Sequence, residues 1–248
     1  MKNKITIILF ILIFQNITHA KDISQNIINE FNEYYKAKKE IMKKYPGAAK
    51  DKILYFTGIL LFKRQKFSNA LKRFIDIVYL YKNSVYNERS AIFVAKCYIN
   101  IEQYLFAERE IKIYLDKNSS VILKDLFFYY RGIAAFNENR FSTAKQYFQT
   151  SIKNARHPVM FKRIKIWLAH TYLKLNMRIK AYKTILTALD NVSGLAKKEI
   201  IKAKRLKYKI KWQYVMNVFH QDKSISYIYN SGLKTFILTW INGIAVYD

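Results

Sequence analysis

The sequence predicts an all-α chain: a right-handed helical-repeat solenoid of about four helix pairs, with helical caps at both ends. Three observations carry this reading. A pattern of small and large apolar residues recurs every 37 positions. Only 6 Gly and 2 Pro interrupt the 248 residues, too few for the frequent turns of an all-β fold. Hydrophobic residues make up 51% of the chain, enough for a packed core despite a formal charge of +27.

The first element is an address. Residues 1–20 have the three parts of a secretory signal peptide: Lys2 and Lys4, an apolar run from Ile5 to Phe14, and the small residue Ala20 at a cleavage position. The apolar run is about half of what a bilayer span needs. An uncleaved anchor is the alternative. No cysteine follows, so this is not a lipoprotein signal. Loss of Lys2 and Lys4 leaves a mature chain of +25. The protein is therefore expected to be exported, periplasmic or envelope-associated, where nucleic acid is not an expected partner.

Residues 21–47 form the next block. Ser24 is a plausible N-cap, and Ile27, Phe31, Tyr34 or Tyr35, Ile41 and Met42 share one side of a helix that Pro46-Gly47 stops. This helix is expected to cap the first repeat, since end units of repeat arrays are atypical. A self-association helix is the alternative.

Residues 48–190 hold four repeats. Gly58, Ala95, Gly132 and Ala169 are each followed after twelve residues by Ala70, Ala107, Ala144 and Ala181. One turn further on come Phe74, Ile111, Phe148 and Ile185. Small residues let two helices approach, and the large residue fills the gap between pairs. Polar stretches such as Lys63 to Lys66, Asn100 to Gln103 and Asn137 to Arg140 mark the turns within pairs.

This constellation resembles the tetratricopeptide repeat, the third copy best: Phe128, Gly132, Phe141, Ala144 and Phe148. The resemblance runs from about residue 50 to 190. The family period is about 34, and the excess of one turn predicts either a longer helix or a longer loop in each repeat. With an export signal and this size, the chain is also distantly similar to BamD-like scaffolds of envelope assembly. The resemblance implies a concave groove lined by the first helix of each pair. Its ligand positions lie three before, one after and five after the small residue. They map to Tyr55, Ile59 and Lys63; Ile92, Lys96 and Asn100; Tyr129, Ile133 and Asn137; Ile166, His170 and Lys174. Of these, Tyr55, Lys63, Lys96, Asn100, Tyr129, Asn137, His170 and Lys174 are the candidate groove residues for a protein or peptide partner.

The last block, 191–248, is a basic closing helix followed by an apolar segment. Between Lys197 and Lys211 stand eight basic residues and one acid, Glu199. Lys197, Lys198, Lys202, Arg205 and Lys209 are candidates for binding an anionic membrane or surface polymer. Continuing the repeat places Leu206 in the small-residue slot and Val218 in the Ala slot. For 224–248, Phe236 to Ile241 suits a helix or a buried strand, and a terminal helix covering the repeats is expected.

No catalytic constellation stands out. Of His19, His157, His170 and His220 none forms a His-x-x-x-His pair, and neither a phosphate loop nor a local pair of acids appears. No metal site and no cofactor are expected, and the chain reads as a non-enzyme. Cys97, beside Ala95, reads as a packing residue. The sequence thus points to a non-catalytic envelope scaffold that binds protein segments in its groove. The alternative is an electrostatic adaptor working through the basic helix.

Overall fold

A computed structural model describes residues 25, 28–190, 192–221, 225–231, 234–239 and 243–247; from 212 onward only the backbone is described. Residues 1–20 lie outside these, as do Ser24 and Ile27. Among the described residues the chain has ten helices and three strands. It divides into two compact units, at Leu123 and Lys124.

The first unit holds α1 (28–44), α2 (Lys50–Lys63), α3 (Phe67–Leu80), α4 (Asn87–Asn100) and α5 (Tyr104–Lys117). The second holds α6 (Lys124–Asn137), α7 (Phe141–Asn154), α8 (Pro158–Lys174), α9 (Arg178–Leu189) and α10 (Lys197–Gln221). Within each unit consecutive helices pack against one another.

The repeat maps onto these pairs without a shift. Phe67, Tyr104, Phe141 and Arg178 each open the second helix of a pair. Ala70, Phe74, Ala107, Ile111, Ala144, Phe148, Ala181 and Ile185 are all buried. The two glycines are required by close approach. A Cβ on Gly58 would come within 2.8 Å of the Phe74 ring, and one on Gly132 within 2.5 Å of Phe148. The first and third pairs set Gly against Phe, and the second and fourth set Ala against Ile. Small and large residues therefore trade volume, as a closely packed interior demands.

The turn inside every pair is the same. Gln65, Glu102, Asn139 and Asn176 have positive φ, of 61°, 61°, 58° and 58°. In each case the next residue donates back into the first helix: Lys66 to Leu61, Gln103 to Tyr98, Arg140 to Ala135 and Met177 to Tyr172, at 2.8–2.9 Å. This is the left-handed C-terminal motif that satisfies the orphan carbonyls of a helix.

The extra turn of the repeat takes both of the expected forms. In the first unit the helices have 14 residues and the excess lies between pairs, in 81–86. There Asn87, 7% exposed, donates its amide to the carbonyls of Ile77, Val78 and Tyr81 at 3.1–3.2 Å, so α4 caps the end of α3. In the second unit α8 absorbs it and reaches 17 residues. Pro158 opens α8, where its missing N–H costs nothing, and His157 Nδ1 accepts from Val159 N.

Helix α1 docks on the first pair by part of the expected face. Tyr34, Ala37 and Ile41 turn inward, whereas Phe31, Tyr35 and Met42 are exposed. Polar contacts decide the rotation. The Glu30 carbonyl accepts from Asn69 at 3.0 Å, the Glu30 carboxylate pairs with Lys72 at 2.9 Å, and Arg73 lies 4.4 Å from the Tyr34 ring centre.

At the other end α10 closes the array. Ala203, Leu206 and Ile210 bury against Ala181, Ile185 and Ala188 of α9. Leu206 thus holds its expected inward slot, while the Val218 side chain lies outside the described residues. The segment beyond is a correction. The expected terminal helix is instead an antiparallel meander of β1 (Ile225–Ser231), β2 (Lys234–Thr239) and β3 (Gly243–Tyr247). Tyr229 pairs with Phe236, and Ile237 with Ala245. Its runs are five to seven residues long and rich in β-branched and aromatic residues, with Gly232 between the first two and Gly243 opening the third. That length suits strands and is too short for a stable helix.

Candidate functional site

The candidate groove residues divide by position along the first helix of each pair. Those five after the small residue, namely Lys63, Asn100, Asn137 and Lys174, are all exposed. Two are lysines and two are asparagines. Asn100 and Asn137 spend their amide N–H on the carbonyls of Lys96 (2.8 Å) and Ile133 (2.9 Å), one turn back. Each keeps its side-chain carbonyl as acceptor and a second amide N–H as donor, in a set that also holds the ammonium donors of Lys63 and Lys174.

The candidate tyrosines stand deeper. Tyr55 is 8% exposed, stacked on Tyr86 at 4.6 Å and edge-on to Phe74 at 6.1 Å. Burial raises its pKa, and Arg89 at its hydroxyl offsets only part of this. Tyr129 lies 6.2 Å from the Phe148 ring, and burial raises its pKa strongly, although Trp167 donates to its oxygen. Both tyrosines serve the core first.

Lys96 and His170, one after the small residue, sit on two copies of one aromatic cluster. In the first unit Phe62 meets Phe67 at 5.2 Å and Phe93 at 5.3 Å, and Phe74 stacks on Phe93 at 4.8 Å. In the second unit Phe136 meets Phe141 at 5.3 Å and Trp167 at 5.3 Å, and Phe148 stacks on Trp167 at 6.2 Å. Lys96 Nζ lies 4.1 Å from Phe93 and 4.8 Å from Phe62, a cation–π arrangement. His170 occupies the matching place, 4.8 Å from Phe136. Burial first, then Lys174 and Lys209, depresses its pKa. The first unit thus sets a lysine ammonium on its cluster, and the second an imidazole whose charged form is disfavoured.

That electrostatic contact also brings the two candidate sets together. Lys174 belongs to the groove set and Lys209 to the basic set, and both act on His170. On α10, Lys197, Lys198, Lys202, Arg205 and Lys209 are all exposed. Glu199, the one acid among them, is already consumed. Arg163 of α8 grips it through two bonds, at 2.7 and 3.1 Å, and the Ala196 N–H adds a third at 3.0 Å. Burial alone would raise the Glu199 pKa, but Arg163 and Ala196 outweigh it and hold it below the ordinary carboxylate value. The exposed cations of α10 therefore outnumber its acid among the described residues.

Sequence reasoning missed one concavity. A cleft of about 340 Å³ lies between α3 and α5 over α4. Ala91, Val94 and Ile113 give it apolar walls, and Lys82 and Lys117 are also in its lining. Glu110 accepts from Tyr79 Oη at 2.7 Å; burial and this bond push the Tyr79 pKa up to about 12. These positions lie on second helices, on connectors, or on α4 away from the three offsets, so the groove offsets never select them. Cys97 is fully buried with its thiol pushed up to about 12 by burial, as a packing residue should be. Among the described residues no cluster of His, Cys, Asp or Glu suits a metal, and no helix is long and apolar enough to cross a membrane.

No protein-family model and no curated protein matches the chain. Solved structures do. TTC0263, a thermophilic tetratricopeptide-repeat protein of Thermus thermophilus, is 13% identical; the match covers 72% of this chain and 85% of that one, with a TM-score of 0.50. The fold is that of a tetratricopeptide-repeat protein. A MamA structure also matches, at 15% identity over 70% of this chain and 93% of that one, with a TM-score of 0.48. At these identities the likeness extends to the fold, and function has to be argued from the residues.

Proposed function

We propose that the chain is a non-catalytic tetratricopeptide-repeat scaffold of the bacterial cell envelope that binds protein segments along the first helices of its pairs. The observation that carries this is that Lys63 and Asn100 in the first unit, and Asn137 and Lys174 in the second, hold one register position of their helices and are all exposed. The set combines ammonium donors with side-chain carbonyl acceptors, which suits an extended peptide backbone carrying both. The signal-peptide-like pattern read in residues 1–20 supports the envelope as its place of work. The test is affinity capture by chain 21–248 from its own envelope extract, washed at roughly 0.5 M salt, where the Debye length falls to about 4 Å. A defined protein should survive the wash with the wild type. It should be lost when Lys63, Asn100, Asn137 and Lys174 are all changed to Ala. Retention by that variant refutes the proposal.

A second reading is favoured by the Arg163–Glu199 pair. With its acid neutralised, α10 suits an electrostatic adaptor for an anionic membrane or surface polymer. Lys202→Glu, Arg205→Glu and Lys209→Glu together should abolish such binding and leave segment binding intact.

A further inference from the structure

We infer that α10 seats on an anionic lipid bilayer, with Ile201 and Tyr208 entering the headgroup layer between two rows of cations. The inference rests on the electrostatic-adaptor reading and narrows it to one kind of surface. On a helix of 3.6 residues per turn, Lys198, Lys202, Arg205 and Lys209 fall within about 60° of one another, in a row roughly 17 Å long. Lys197 and Lys204, seven residues apart, form a second row. Ile201 and Tyr208, also seven apart, lie between the rows, and they are 42% and 54% exposed. The opposite face is occupied: Ala203, Leu206 and Ile210 are buried on α9.

A polymer of anionic groups needs only the cations. It gives no reason for an isoleucine and a tyrosine to stand in water between them. A bilayer surface needs both parts. Anionic headgroups meet the ammonium and guanidinium groups, and the apolar ridge enters the boundary above the acyl chains. Lysine stems reach outward from such a boundary while their heads stay hydrated. The Arg163–Glu199 pair holds the first turn of α10 against α8, so the face is presented from a fixed helix, with little left to order on contact.

The test uses chain 21–248, which keeps every packing contact described above and lacks the apolar run of residues 5–14. Its partition is measured on phosphatidylglycerol-containing vesicles, on pure phosphatidylcholine vesicles and on heparin. The wild type should bind the anionic vesicles and not the neutral ones. Ile201→Ser with Tyr208→Ser should weaken vesicle binding about tenfold or more while leaving heparin binding within about twofold. Changing Lys198, Lys202, Arg205 and Lys209 to Gln should weaken both about a hundredfold or more. All these side chains are exposed, and circular dichroism checks that each variant is folded. Heparin binding without vesicle binding would overturn the inference and leave the electrostatic reading standing. So would vesicle binding that ignores Ile201 and Tyr208. Binding to neither surface would remove both.

Discussion

Gly132→Ala should destabilise the protein, although alanine is the better helix former. The propensity gain in mid-helix is about 1 kcal/mol. Against it, the new methyl would meet three atoms of the Phe148 ring at 2.5, 2.7 and 2.8 Å, where ordinary contact begins near 3.4 Å. The ring must move by roughly 1 Å, and it has nowhere to go. Phe148 is fully buried, with Trp167 and Tyr129 each 6.2 Å away. Overpacking of this kind costs about 1–3 kcal/mol. The net loss, up to about 2 kcal/mol, corresponds to a fall of up to about 4–8 °C in Tm for a chain of this size. The second half of the prediction is the rescue. Gly132→Ala with Phe148→Ile rebuilds the pairing of Ala169 with Ile185. The double variant should therefore be more stable than the two single changes add up to, by about 1 kcal/mol or more. Urea unfolding followed by circular dichroism measures all four corners of the cycle. A rise in stability for Gly132→Ala, or strict additivity in the cycle, would refute the volume-trade argument.

Four further outcomes follow from single contacts. Glu102→Gly should raise stability by about 0.5–1 kcal/mol, because φ of 61° strains an exposed residue with a Cβ; a lower Tm would count against the shared turn geometry. Glu199→Gln should cost about 1 kcal/mol by loosening α10 from α8, and should tighten heparin binding by freeing Arg163; unchanged heparin affinity would mean that α10 is not the binding face. His170 should titrate below its ordinary 6.5, read by proton NMR. Because the unfolded imidazole takes up its proton first as pH falls, stability is complete above 6.5 and is lost as pH drops from there toward the folded value. His170→Asn should flatten that loss, and a midpoint at or above 6.5 would contradict the burial argument. Cys97 should react with a disulfide reagent only in denaturant, and fast labelling of the folded chain would show that it is not sealed in the core.

The sequence alone determined the repeat. Gly58, Phe74 and their counterparts could be read because the partners in a helix pair lie only sixteen residues apart and recur four times. A contact that is short in sequence and repeated leaves a periodic trace. It also determined where the cations of α10 fall, since helical spacing is local. Three things were decided only in the tertiary structure. Which face of α1 turns inward depended on Asn69, Lys72 and Arg73 in the neighbouring helix, contacts that leave no period. Whether Glu199 counts against the basic face depended on Arg163, 36 positions away. Whether Tyr55 and Tyr129 face a ligand or the core depended on the aromatic clusters built from both helices of a pair and the next first helix. The closing strands are different in kind, because their runs of five to seven residues suit either a strand or part of a helix. Hydrogen bonds between strands make that choice, and period and composition do not record them.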